Sequence, residues 1–207
     1  MEKMEIKINN IAKELKNRKI IDYNVENFYS TYDKKRYNGF LNNIILKNVS
    51  NIDGIYDSLV EKNGKGNDFY GIYTNGDNVI CAIPNRNYLF DEMKCIHEIT
   101  HLVNYIETGI IDESLSYEVI PYFNEYDYLR KIHSFYGKYY EKHRLYTSVK
   151  IAKNMNEENQ KDCLAHIYAY LLLEEYKNNY DIEVLNKINA TGEITKGLTK
   201  KGYTLHL

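Results

Sequence analysis

The feature that most constrains this chain is a pair of histidines, His97 and His101, with Glu98 directly after the first of them. Residues four apart lie on the same face of an α-helix, so both imidazoles can reach a single point. Glu98 is rotated by about 100° from His97, which makes it a poor third ligand at that point. It is still close enough to exchange a proton there. The chain therefore has to provide a helix at this segment and a further ligand from elsewhere.

This spacing of two imidazoles and a carboxylate is typical of zinc hydrolases. Zinc lowers the pKa of a bound water to about 7, and a neighbouring carboxylate can then complete its deprotonation. We therefore predict Zn²⁺ as the cofactor, His97 and His101 as its ligands, and Glu98 as the general base.

The residues around the motif predict the helix that it needs. Asp91 lies just ahead of an apolar run with helical period, and Gly109 follows that run. An acidic first turn and a glycine stop are common at the two ends of a helix. The pattern predicts a helix over about 90–108, with one buried stripe formed by Met93, Ile96, Ile99, Leu102, Val103 and Ile106.

Composition limits the class of protein. A chain of 207 residues with a net charge of -2 fits one domain, with an N-terminal lobe over 1–108 and a C-terminal lobe over 109–207. That charge gives no general attraction to nucleic acid, and we interpret the basic positions near Arg144 as a solvated helix face. There is no apolar signal region and no run near the ~20 apolar residues of a membrane span. Cys81, Cys95 and Cys163 are scattered, which favours reduced thiols and a cytoplasmic location.

Periodicity predicts a mostly helical α+β fold with a small sheet just before the metal helix. Asn75-Gly76-Asp77 is a hairpin signal between two β-rich runs, and Pro121 should kink or restart the helix that contains it. The second β-rich run could pair with an extended peptide if it formed an edge strand. The predicted helices are 7–18, 24–47, 52–62, 112–152, 159–178 and 181–189, and the predicted strands are 69–74, 78–83 and 203–207.

A catalytic zinc needs a third protein ligand. The metal helix should continue about seven residues beyond His101, and a tight turn would send an antiparallel helix back past it. Because both helices rise about 1.5 Å per residue, seven residues back lands near Glu118. Glu113 would then lie roughly 7 Å short of the metal, and it stays open as the alternative ligand. Glu125, two turns beyond Glu118, could orient a histidine or form an ordinary ion pair.

With these residues in place, the chain resembles the gluzincin metallopeptidases, most closely the catalytic core of the thimet oligopeptidase and oligoendopeptidase F family. The resemblance covers about 88–130, with weaker echoes to about 175. It lies in Asp91, in the His-Glu-Ile-Thr-His helix, and in the segment Glu118-Val-Ile-Pro-Tyr-Phe-Asn-Glu125. Thr100 replaces the family's glycine, and the gap from His101 to Glu118 is shorter than in the family. The long helical region over the family's substrate channel has no counterpart.

The resemblance implies a zincin-like fold, with His97, His101 and Glu118 as the zinc ligands and Glu98 as the general base. It also implies an oxyanion donor on a late, tyrosine-rich helix, where the match places Tyr170. Asp162, His166 and Tyr170 recur at four-residue spacing, so a carboxylate could hold an imidazole beside a phenol. His166 is therefore the second candidate donor.

Together these features predict a cytoplasmic zinc metallopeptidase, a hydrolase that cleaves a peptide or protein substrate and has no nucleic-acid or membrane partner. Two alternatives stay open. One is a non-catalytic protein that binds zinc or peptide with a gluzincin-like fold. The other is a metal-dependent hydrolase of a non-peptide amide.

Overall fold

The computed structural model describes residues 32–47, 49–62, 71–75, 78–84, 88–111, 115–133, 136–152 and 161–175, with isolated positions before residue 32. These residues fall into two compact units, one within 26–112 and the other formed by 1–25 together with 113–207. They form a mostly helical α+β protein with one three-stranded sheet, which confirms the predicted fold class at that level.

In the first unit, short helices precede the three strands, and a helix of 20 residues follows them. Its elements are α1 (Lys34–Phe40), a π-helical turn (Leu41–Ile45), α2 (Ile52–Ser58), β1 (Leu59–Lys62), β2 (Gly71–Asn75), β3 (Asn78–Pro84) and α3 (Leu89–Thr108). The prediction of one helix over 52–62 is wrong after Ser58. Residues Leu59–Lys62 pair with β3 instead, and this tertiary hydrogen bonding overrides the local helical pattern.

The sheet has the order β1-β3-β2, with β1 parallel and β2 antiparallel to β3. Asn75 pairs with Asn78, so β2 and β3 are the arms of the predicted hairpin. Cys81 lies opposite Leu59 on one side and opposite Ile72 on the other. Since β3 is the central strand, its backbone is already paired on both sides, and the suggested role of Val79–Ile83 as a peptide-binding edge is wrong.

Helix α3 confirms the helix predicted over 90–108. Asp91 and Glu92 lie in its first turn, where carboxylates interact favourably with the positive end of the helix dipole. Gly109 ends the helix with φ of 69°, a left-handed conformation that glycine adopts without a side-chain clash. Met93 and Ile96 are fully buried, and α3 packs against β3 on this side.

Between residues 115 and 175, the described part of the second unit forms three helices, α4 (Leu115–Ile132), α5 (Tyr136–Ala152) and α6 (Lys161–Glu175). Helix α4 runs through Pro121, because the residues on both sides of the proline are buried and their packing outweighs one lost backbone hydrogen bond. The helix predicted to run to 152 instead ends at Ile132 and resumes at Tyr136. Gly137 approaches the Leu129 carbonyl so closely that a Cβ atom would collide with it.

Several predictions lie outside the described residues. They are the helices at 7–18 and 181–189, the first part of the helix at 24–47, the central turn residues 76–77, the helix start at 112 with Glu113, and the strand at 203–207. Over the ranges that the structure describes, no helix combines the length and apolar character needed to cross a membrane. All three cysteines are free thiols.

Candidate metal site

The two motif histidines converge on one point beside α3. Their Nε2 atoms lie 3.1 Å apart, and the ring centroids are separated by 4.7 Å at an interplanar angle of 73°. Both side chains are buried. Two ligand nitrogens at 2.0–2.1 Å from a tetrahedral zinc would lie about 3.3 Å apart. The observed separation therefore suits two ligands of a single ion.

The surrounding helix keeps these rings in place. Ile96 and Leu102 are fully buried, so rotation of α3 about its axis would expose apolar surface to water. Thr100, at the position where the resembling family has glycine, donates its hydroxyl to the Ile96 carbonyl at 2.7 Å. This hydrogen bond satisfies the buried hydroxyl within its own helix.

Glu118 is the third member of a group of side chains that could hold a metal ion. One ligand atom from each of His97, His101 and Glu118 lies within 4.8 Å of the others. Glu118 is half-buried in the first turn of α4. The alternative ligand, Glu113, lies outside the described residues, so the choice between the two carboxylates stays a prediction.

Glu98 is buried beside β3. Burial raises the pKa of the Cys81 thiol, and the charge of Glu98 raises it further. The thiol therefore stays protonated, and the general-base candidate has a neutral, buried side chain of the sheet as a neighbour. Such a neighbour excludes water from that side of the carboxylate.

The donor chemistry of the group fits a zinc ion. Two imidazole nitrogens and one carboxylate oxygen are a ligand set used by catalytic zinc, whereas magnesium and calcium prefer oxygen alone. Three protein ligands also leave a coordination position for water. The same donors can bind other divalent transition metals. The ligand types are therefore compatible with zinc but do not by themselves select zinc over those metals.

The candidate oxyanion donor His166 lies in a buried network in the second unit. Its Nδ1 lies 3.0 Å from the Tyr126 hydroxyl, and its Nε2 lies 2.7 Å from an Arg144 nitrogen. The predicted holder of this imidazole, Asp162, engages neither ring nitrogen. We call Tyr126, His166 and Arg144 the histidine network.

Tyr170, the other candidate donor, is also buried and packs into the same helical unit. Its ring meets the Tyr126 ring edge-on at 6.5 Å. The Arg130 guanidinium lies over the Tyr170 ring, 5.6 Å from its centroid. The roles of Tyr170 and His166 as oxyanion donors stay predictions.

The sequence interpretation missed Arg144. The sequence pattern predicts a solvated face for it, but Arg144 is half-buried and contacts both His166 and the Tyr140 hydroxyl. Burial lowers the pKa of Arg144, but Tyr140, Glu125 and other neighbours raise it, and the net effect is a raised pKa, so the guanidinium stays charged. Helical periodicity could have indicated this partial burial of Arg144, because Tyr140, Leu145 and Val149 form the buried stripe of α5 and Arg144 borders it.

Arg130 forms a second cluster with two carboxylates. Its Nε donates to Glu141 at 2.7 Å, and a terminal nitrogen donates to both Glu141 and Glu174. These three residues, called here the ion cluster, tie α4 to α5 and α6. Burial raises the pKa of Arg130's partner Glu141, and hydrogen bonding from Arg130 opposes that rise.

No protein-family model, curated protein or solved structure matches this chain significantly.

Proposed function

We propose that this protein is a zinc-dependent metallopeptidase, in which His97, His101 and Glu118 hold the metal and Glu98 is the general base. One observation carries the proposal: two imidazole nitrogens and a carboxylate oxygen lie within 4.8 Å of one another. Glu98 directly follows the first of these histidines, in the position where a hydrolase needs a base.

The ligand residues divide the work of binding. His97 and His101 present their Nε2 atoms from one rigid helix, so little side-chain freedom is lost when they bind. Glu118 adds a negative charge that offsets part of the charge of a divalent cation. When bound, zinc would supply a Lewis acid that makes water more acidic and polarises the substrate carbonyl.

Glu98 is proposed to move the proton. It would accept a proton from the attacking water and later deliver it to the amine that leaves when the peptide bond breaks. Its burial places this transfer in an environment of low dielectric constant, where charge interactions are stronger than in water. The neutral Cys81 thiol behind it introduces no competing charge.

The test compares the wild-type chain with Glu98→Gln. Zinc content is measured by mass spectrometry, and cleavage is measured with a quenched fluorescent peptide library. Both proteins should bind one zinc per chain, and the variant should lose about 10²–10⁴-fold in cleavage rate. The matched control is Glu107→Gln, at the exposed end of the same helix, which should cleave like the wild type.

The other outcomes separate the alternatives. Zinc binding without any hydrolysis by the wild type would favour the non-catalytic binding protein. Hydrolysis of small amides, with no peptide cleaved, would favour the non-peptide amidase. A Glu98→Gln chain that cleaves peptides at the wild-type rate would refute the proposed base.

A further inference from the structure

We propose that His166 makes the helical region α4–α6 sensitive to acid: its neutral imidazole accepts a hydrogen bond from Arg144, and a protonated imidazole must release Arg144. The contact between α5 and α6 at this point is therefore present at neutral pH and lost in acid. All three residues of the histidine network belong to the second unit, and none of them is a proposed metal ligand. The acid response therefore does not depend on the proposed metal binding.

The contact between Arg144 and His166 fixes the protonation state of the ring. Arginine can only donate hydrogen bonds, and one of its nitrogens lies 2.7 Å from Nε2 of His166, so Nε2 must be an acceptor and carry no proton. A neutral imidazole then carries its proton on Nδ1, which lies 3.0 Å from the Tyr126 hydroxyl and donates to it. The two contacts together require the Nδ1–H tautomer of a neutral ring.

Protonation would remove the acceptor on which the Arg144 contact depends. Nε2 of His166 would become a donor that faces another donor at 2.7 Å, and two positive charges would lie side by side. Arg144 does not relieve this repulsion by losing its own charge, because its neighbours, with Tyr140 and Glu125 foremost, keep its pKa raised despite its burial. The two cations must therefore move apart.

The carboxylates around the ring do not offset a second cation. Glu125 is fully buried on α4, and its charge already acts on Arg144. Glu141 of α5 accepts hydrogen bonds from Arg130 in the ion cluster. Asp162, in the first turn of α6, is exposed to solvent, which screens its charge. Protonation of His166 would thus leave two cations beside one buried carboxylate.

Water cannot replace these partners, because the ring is enclosed. His166 is buried, and Tyr122 covers one face of it with the ring centroids 3.6 Å apart. Burial raises the pKa of both Tyr122 and Tyr126, so these phenols stay neutral. The other ionisable groups that act on these residues are Glu118, whose effect on Tyr122 is the weakest, and the side chains of Tyr140 and Cys163. Within the part of the unit that the structure describes, a charged imidazole would lose its hydration without gaining an ion pair.

The direction of the pH effect follows from the protons bound in the folded and unfolded states. An imidazole in an unfolded chain titrates near about pH 6.5, so most unfolded chains carry this proton at pH 5. The folded network excludes it. Because the unfolded state then binds more protons, stability is fully present above about pH 6.5 and falls as the pH is lowered below that value.

The first test compares urea denaturation of the wild type and His166→Gln at pH 7.5 and pH 5. Glutamine keeps an acceptor for Arg144 and a donor for Tyr126, but it does not titrate. Between the two pH values the folding equilibrium constant should fall by about 30-fold more in the wild type than in the variant. The matched control is His133→Gln, which removes another buried histidine of the same unit and should keep the wild-type dependence on pH.

The second variant changes the other partner. Arg144→Gln replaces the cation by an amide that can donate to a neutral Nε2 or accept from a protonated one. The folded chain can then bind the proton, so the extra loss in acid should shrink as it does in His166→Gln. An acid loss as large as that of the wild type, in either variant, would overturn the proposal.

A third measurement uses the wild-type chain alone, so it does not depend on the folding of any variant. Long-range ¹H–¹⁵N NMR at pH 7.5 shows which ring nitrogen of each histidine carries the proton. We expect Nδ1–H for His166, with no proton on Nε2. A proton on Nε2 at this pH would overturn the proposal, because Arg144 could then not be its hydrogen-bond donor.

Discussion

The candidate metal-site region of α3 and the buried polar groups of α4–α6 contain similar residues in opposite arrangements. In the second unit, donors meet acceptors: the Arg130 cation lies between Glu141 and Glu174, and Arg144 donates to His166. On α3, two imidazole nitrogens face each other at 3.1 Å. In a buried cluster where opposite charges meet, each group is satisfied within the protein and the loss of one partner is costly, whereas converging acceptors are suited to a cation.

The comparison also shows that histidine has no single role in this chain. His97 and His166 are both buried and both have ring contacts within 5 Å. What separates them is the chemistry of the group at Nε2, which is another imidazole in one case and a guanidinium in the other. Experiments that remove one group at a time can test this distinction.

The largest expected effect is on metal affinity. His97→Ala should weaken zinc binding by more than about 100-fold, since loss of a direct ligand exceeds the 10–100-fold cost of losing an outer-shell partner. Competition with a chromogenic chelator measures the affinity. The matched variant His166→Ala should bind zinc like the wild type but unfold at a lower urea concentration. Equal zinc affinities in wild type and His97→Ala would contradict the proposal that His97, unlike His166, is a metal ligand.

The next effect concerns the ion cluster. Arg130→Met leaves Glu141 buried without its main cation, so the free energy of unfolding should fall by about 3–5 kcal/mol. Urea denaturation followed by circular dichroism measures this loss. Lys131→Met is the control: the Lys131 side chain is 45% exposed in its pair with Asp127, and the substitution should cost no more than about 1 kcal/mol. Similar losses in the two variants would contradict a structural role specific to the cluster.

A smaller effect is expected at the crossing of α4 and α5. Gly137→Ala would push a methyl group against the Leu129 carbonyl, and we expect a loss of about 1–3 kcal/mol in the free energy of unfolding. Gly39→Ala in α1 is the opposite case. Its Cβ would meet no atom within 4 Å, so alanine should stabilise that helix by about 0.4–1 kcal/mol. The difference between the two urea midpoints is the measurement, and the reverse order would contradict the packing described.

The smallest expected effect is chemical and lies behind the metal site. Cys81 is fully buried, and its thiol has a raised pKa, so iodoacetamide at pH 8 should modify it only after unfolding. Cys163 is half-exposed and should react in the folded chain, although burial and Asp162 raise the pKa of its thiol as well. Peptide mass mapping distinguishes the two sites. Rapid labelling of Cys81 in the folded protein would show that solvent reaches the Cys81 thiol next to Glu98.

Much of the local structure could be predicted because it depends on nearby residues. The helix over 90–108, its acidic first turn and its end at Gly109 follow from periodicity and from glycine's freedom at positive φ. The two hairpin strands follow from a short turn signal between β-rich runs. The strand Leu59–Lys62 could not be predicted from nearby residues, because its pairing partner lies about twenty residues further along the chain.

The sequence by itself determined the helix that carries His97, Glu98 and His101, since i to i+4 geometry follows from the backbone alone. Three other features depend on the tertiary structure. Arg144, which lies in a polar stretch of the sequence, contacts His166, and Tyr122 stacks on the same ring. β3 is the central strand of the sheet. Each of these features depends on contacts between segments that are distant in sequence. Such contacts form because apolar side chains are buried and buried polar groups find hydrogen-bond partners across the whole unit, which no local pattern specifies.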